Sequence, residues 1–168
     1  MLPLTDKRWS ELWCREGAAQ NVPARINYLL LHPDDRKSFD LLGDSVCSDG
    51  TTWSVGFGAA PYIVEMARKL PPSGRLNALI EIGLIVTCAC SGSNDLHYRL
   101  EPYLADSYHQ AIRDSLPLLA ETLLCKMEEK DILSLVFCVA ALKGHIKLAE
   151  VTTELGSCPH CSEILGRT

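Results

Sequence analysis

Basic charge is scarce in this 168-residue chain: 16 lysines and arginines stand against 21 aspartates and glutamates, for a formal net charge of −5. A surface of that sign does not track phosphate backbones, so nucleic acid is not an expected partner. Long apolar runs are missing too. The most apolar stretch, residues 82–90, is far too short to span a bilayer and contains Gly83 and Thr87, so no membrane span is expected. The segment Met1–Trp9 lacks the basic stretch and apolar run of an export signal. The eight cysteines sit mostly inside apolar helical patterns rather than at the loop-borne spacings of a secreted disulfide framework. Together these point to a soluble cytoplasmic chain with thiols.

Strand signals are equally thin, because no sustained two-residue alternation is bounded by hairpin turns. Catalytic signatures are missing as well. Gly56 and Gly58 lack the later glycine and lysine of a phosphate loop, and none of the five histidines lies in a His-Glu-x-x-His arrangement. No side chain is singled out as a catalytic nucleophile or base, and the chain is expected not to be an enzyme.

Helical periodicity is what remains. The 47% hydrophobic and 22% charged composition suits one domain with a real core. A first helix is expected from Thr5 or Asp6 to about Glu16, with Trp9, Leu12 and Trp13 on one face. A second follows Pro23, and a short third carries Phe39, Leu41 and Leu42. Residues 43–58, rich in glycine and turn formers, read as an ordered loop. Two longer hairpins then occupy 59–155. The helix from Arg75 to Cys90 is apolar nearly all round, with Asn77 and Glu81 as a narrow polar stripe, and reads as the central buried one. Pro117 is expected to kink or divide a helical region from Leu100 to about Met127, and Asp131 to cap the helix after it.

The expected fold class is therefore all-α: stacked antiparallel helical hairpins forming a short HEAT- or armadillo-like solenoid, with a globular helical bundle as the alternative. Residues 1–155 form one helical domain, with 1–45 as an N-terminal cap and 59–155 as hairpins. Residues 156–168 form a cysteine-containing tail.

The candidate contact residues fall in two groups. Asp49, Trp53, Phe57 and Tyr62 lie in or beside the glycine-rich segment, where exposed aromatics would serve as binding anchors. The competing reading seats Trp53 in the core. Glu121, Glu128 and Glu129 form an acidic group suited to a basic partner, although helical surfaces often carry such groups for solvation alone. The sharpest local pattern is Cys158-Pro159-His160-Cys161, in which two thiolates have the bite for one zinc ion but supply only half of a tetrahedral ligand set.

The segment Val46–Val64, VCSDGTTWSVGFGAAPYIV, resembles a motif of a family of small bacterial HEAT-like helical proteins. There a His-Gln-Gly-Thr-Val-Tyr type loop leads into an Ala-Ala-Val-Pro-His-Leu-Val type helix. Gly50, Thr51, Trp53, Ala59, Ala60, Pro61, Ile63 and Val64 match, while Ser48-Asp49 stands where the family tends to have His-Gln. The stretch Ala140–Gly144, the following helix and the Cys-Pro-x-Cys tail are similar too. The resemblance implies a helical-repeat fold. By analogy with small acidic helical proteins that act as immunity proteins, it also implies a protein-binding module that neutralises a cognate basic toxin by direct binding. The alternative is a zinc- or thiol-dependent regulator, or a small helical enzyme, using Cys158 and Cys161.

Overall fold

The structure is a computed structural model that describes residues 1–89 and 95–157. It is mostly helical. Among the described residues there are seven α-helices: α1 Val22–Leu31, α2 Arg36–Val46, α3 Ser54–Lys69, α4 Leu76–Thr87, α5 Pro102–Leu123, α6 Glu129–Leu142 and α7 Ile146–Ser157. Two very short antiparallel hairpins join them: β1 Trp13–Cys14 with β2 Gly17–Ala18, and β3 Cys47–Ser48 with β4 Thr51–Thr52. None of the described helices is long and apolar enough to cross a membrane.

The central helix is α3. It buries every residue from Ser54 to Val64, together with Met66 and Ala67, and packs against α1, α2, α4 and α5. Sequence reasoning placed the first part of this helix in a loop because of Gly56 and Gly58. Both glycines are helical, and their missing side chains let neighbours come close. A Cβ on Gly56 would lie 3.0 Å from the carbonyl oxygen of Val46, and one on Gly58 would lie 3.3 Å from the Trp9 ring. Close approach, not turn formation, accounts for both.

The expected first helix is instead a 3-10 turn over Lys7–Glu11, capped by Asp6 Oδ1, which accepts from the Arg8 amide at 2.9 Å. The chain then enters the β1–β2 hairpin. Trp9 and Leu12 are buried against α3, but Trp13 is on the surface. Trp9 Nε1 donates to the Pro3 carbonyl at 2.9 Å, and Tyr62 Oη donates to the Leu2 carbonyl at 2.6 Å, so the N-terminal segment is strapped across α3.

The second hairpin was also missed. Its central residues are Asp49 and Gly50, with φ of 52° and 72°. Positive φ at both positions matches the twist of two-residue hairpins, and Asp-Gly is among the strongest short signals for them. Every residue of helix α4 is buried or half-buried, and its polar stripe is split: Asn77 is half-buried, whereas Glu81 is buried against Gly43 of α2. Helix α5 runs unbroken through Pro117. Helix α6 starts before Asp131, which lies in its first turn instead of capping it.

Candidate functional site

Two surfaces combine unusual chemistry with access. The first is the corner where the β3–β4 hairpin meets the C-terminal end of α4. Thr52, fully buried, ties them together: its amide donates to the Cys88 carbonyl at 3.2 Å and its hydroxyl to the Ile85 carbonyl at 2.9 Å. These bonds satisfy carbonyls that a helix end leaves unpaired. The arrangement sets Cys47, the first hairpin residue, beside Cys88, the α4 C-cap, and the two thiols share a hydrogen bond. That bond holds Cys88 down to about 7 and pushes Cys47 well above the usual thiol range. Both thiols line an open cleft of about 460 Å³.

Beneath this corner lie two buried polar atoms that have no hydrogen-bond partner among the described residues, Glu81 Oε1 and Thr87 Oγ1. Burial, reinforced by the like charges of Asp44, Cys88 and Asp40, pushes the Glu81 carboxyl up to about 7.

An aromatic chain borders the hairpin. Trp13 and His97 meet edge-on with centroids 4.2 Å apart, His97 and Tyr98 are 5.9 Å apart, and Tyr98 and Trp53 are 5.2 Å apart. The His97 carbonyl accepts from the Ser54 amide at 2.6 Å, capping α3, and Asp95 in turn holds the His97 ring at 2.5 Å.

The second surface is the outer face of the last two helices. Ile132, Val136 and Val139 recur at four- and three-residue spacing on α6 and are 49%, 43% and 37% exposed. On α7, Leu148 and Val151 are exposed as well, and so are Leu123 and Leu124 at the end of α5. Single exposed apolar residues are ordinary, but a row of them along a helix face is not.

No protein-family model matches the sequence, and no curated protein or solved structure does either.

The residues singled out from sequence distribute over these surfaces unevenly. Asp49 is exposed at the hairpin tip, with Arg15 at 3.8 Å. Trp53 is half-buried against the core, and its Nε1 donates to Ser48 Oγ at 3.1 Å, so it wedges the hairpin onto α3. Phe57 and Tyr62 are buried and offer no surface to a partner: Phe57 packs edge-on against Tyr108 at 5.0 Å, and Tyr62 against Trp9. Glu121 is ion-paired with the buried Arg75, which also donates to the Leu70 carbonyl at 3.0 Å. Glu128 pairs with Lys130 at 2.8 Å, and Glu129 opens α6 in its first turn. Cys158 and Cys161 lie outside the described residues. Among the described residues no group of three or more histidine, cysteine, aspartate or glutamate side chains is arranged to hold a metal ion.

Sequence reasoning missed the Cys47–Cys88 pair and the α6–α7 face. The first had no local signal, because a helix end and a distant hairpin create it. The second had one: positions 132, 136 and 139 form a stripe distinct from that of Leu135, Cys138 and Leu142, but both are apolar, so the sequence does not say which faces out.

Proposed function

We propose that this chain is a non-enzymatic protein-binding module whose outer α6–α7 face docks a basic protein partner, and that the partner is a toxin the chain neutralises as an immunity protein. The observation that carries the binding reading is the exposed row Ile132, Val136 and Val139 on α6, together with the exposed Leu148 and Val151 on α7, the helix packed against it. Covering these side chains with a partner removes apolar area from water at about 25 cal/mol per Å². The net charge of −5 supports a basic partner, because long-range attraction raises association rates. The carboxylates of Glu128 and Glu129 open α6 on the way to Ile132 and contribute at the rim. The finer architecture belongs to the same proposal. In a short HEAT-like stack, each helical hairpin covers the apolar side of the one before it, and the last leaves a side for a partner.

Affinity capture tests this with two baits, the unaltered chain and a Val136→Lys/Leu148→Lys variant. The reading expects a basic protein recovered one-to-one with the first and lost with the second. It also expects that protein to arrest growth when expressed alone and to be tolerated when co-expressed with this chain. Identical recovery by both baits removes the α6–α7 face from the proposal. A partner without toxicity leaves the binding module and discards the immunity role.

A further inference from the structure

Away from the docking face, the hairpin–α4 corner carries a separate chemistry. Two thiols from distant parts of the chain are brought into hydrogen-bond contact by backbone bonds that serve the fold. The Thr52 amide bonds to the Cys88 carbonyl, and Thr52 is the cross-strand neighbour of Cys47. The Thr52 hydroxyl also lies 3.7 Å from Cys47 Sγ. Both cysteines are half-buried and line the same open cleft, so a small molecule reaches the sulfurs without unfolding. By contrast, Cys138 is buried in the core, with its thiol pushed up to about 12 by desolvation. Cys14 is also buried, and its thiol is raised too.

We propose that Cys47 and Cys88 form a thiol–disulfide exchange site whose oxidant is a small, positively charged disulfide. Cys88 is the attacking thiol. Its sulfur, as thiolate, accepts the hydrogen bond from Cys47, and a thiol titrating near ambient pH is the best-placed nucleophile for exchange. The Cys88 thiolate attacks one sulfur of the small disulfide R–S–S–R. The old S–S bond breaks, and R–S⁻ departs. Cys88 is left as a mixed disulfide. Cys47 then gives its proton to the departing thiolate and attacks the Cys88 sulfur, displacing the second R–S⁻, which takes a proton from water. The protein's two thiols are oxidised to one disulfide, and the small disulfide is reduced to two thiols.

The preference for positive charge comes from the cleft. Its ionisable lining side chains, apart from the thiols, are Asp49 at the hairpin tip and Glu150 on α7, and the remainder includes Ser48, Thr87, Leu84 and Phe137. Arg15, 3.8 Å from Asp49, offsets part of that charge, but with Glu150 the lining stays acidic, so it draws in a cation and repels an anion, and the effect weakens with salt.

The full chain is reduced, then exposed at low ionic strength to cystamine, a cationic disulfide, or to glutathione disulfide, an anionic one. Cysteine connectivity is mapped over time by non-reducing peptide mass spectrometry. The proposal expects the Cys47–Cys88 linkage to be the first disulfide formed, about tenfold faster with cystamine than with glutathione disulfide, with the gap narrowing in high salt. Cys47→Ser is expected to stop the reaction at a mixed disulfide on Cys88, and Cys88→Ser to leave Cys47 unmodified. Both replacements are near-isosteric, and circular dichroism checks that the fold is kept. Faster modification of Cys125 than of Cys88, or a mixed disulfide on Cys88 that persists while Cys47 is present, overturns the proposal. Equal rates with the two reagents overturn its charge preference. Because the readout is connectivity, it is independent of whether the α6–α7 face binds any protein.

Discussion

Helices α3 and α6 are both rich in apolar side chains, yet the fold treats them oppositely. Helix α3 has neighbours on every side and hides nearly its whole surface, including three of its small residues, Gly56, Gly58 and Ala59. Helix α6 buries Leu135, Phe137, Cys138 and Ala140–Leu142 and leaves Ile132, Val136 and Val139 in water. Apolarity alone therefore does not say where a helix sits; what else is available to cover it does. The N-terminal segment, two hairpins and four helices close around α3. Helix α6 packs chiefly on α4, α5 and α7 among the described helices, and α7 carries exposed apolar residues of its own.

Substitutions that act on one region and spare the other sharpen this contrast. The largest effect is expected from Trp9→Ala. It removes an almost fully buried ring that packs on Tyr62 and against Gly58, and should cost about 3–5 kcal/mol in chemical denaturation. If the loss were within error, the N-terminal strap would not be part of the core.

Next comes Glu81, which divides α4 from α2 by charge. Its folded carboxyl is raised to about 7 from an ordinary 4.5. The folded state therefore holds the proton more tightly than the unfolded chain. The stability tied to that proton is fully present below pH 4.5 and is lost as pH rises through about 7. The shift corresponds to about 3 kcal/mol. Denaturation from pH 4.5 to 8 is expected to show this decline in the unaltered chain and a flatter profile in Glu81→Gln. Parallel profiles would mean that Glu81 ionises without penalty.

A smaller loss is expected where α4 touches α6. A Cβ at Gly83 would lie 2.7 Å from Phe137 Cε1, so Gly83→Ala forces the ring aside. The helix-propensity gain of about 1 kcal/mol offsets only part of an overpacking cost of about 1–3 kcal/mol. A stabilised variant would show that α6 shifts easily on α4.

The smallest stability effect belongs to the outer face. Val136→Ser and Leu148→Ser remove exposed side chains and should change unfolding free energy by no more than about 0.5 kcal/mol, while weakening partner capture. A loss comparable to that of Trp9→Ala would mean that these residues belong to the core after all.

The helical class was legible in the sequence because apolar periodicity marks α1, α2, α4, α5 and α6 locally; of these only α2 has a side-chain cap, from Asp35. The start of α3 was not. Gly56 and Gly58 carry the same letters as turn residues, and only the approach of Val46 and Trp9 shows why glycine is needed there. The spacing of Trp9, Leu12 and Trp13 suggested a helix reaching about Glu16, but Gly17, with φ of 117°, lets the chain reverse as a hairpin instead. At the candidate site, Trp53 fell between its two sequence readings, because it contacts both the core and the hairpin. The acidic residues were visible as letters, but that Glu121 holds Arg75 is a fact of packing. The Cys47–Cys88 contact is tertiary throughout.

The N-terminal strap also bears on how the chain is made. Leu2, Trp9 and Trp13 find their partners in Tyr62, Gly58 and Ser54 of α3. A ribosome releases this segment well before it releases α3, so for that interval Leu2 and Trp9, both buried in the finished fold, have nothing native to cover them. Helices α3, α4 and α5, each packed on its neighbour, assemble from contacts close in sequence. The strap waits for them, and its closure is the step that chaperone binding or premature pausing during synthesis would disturb first.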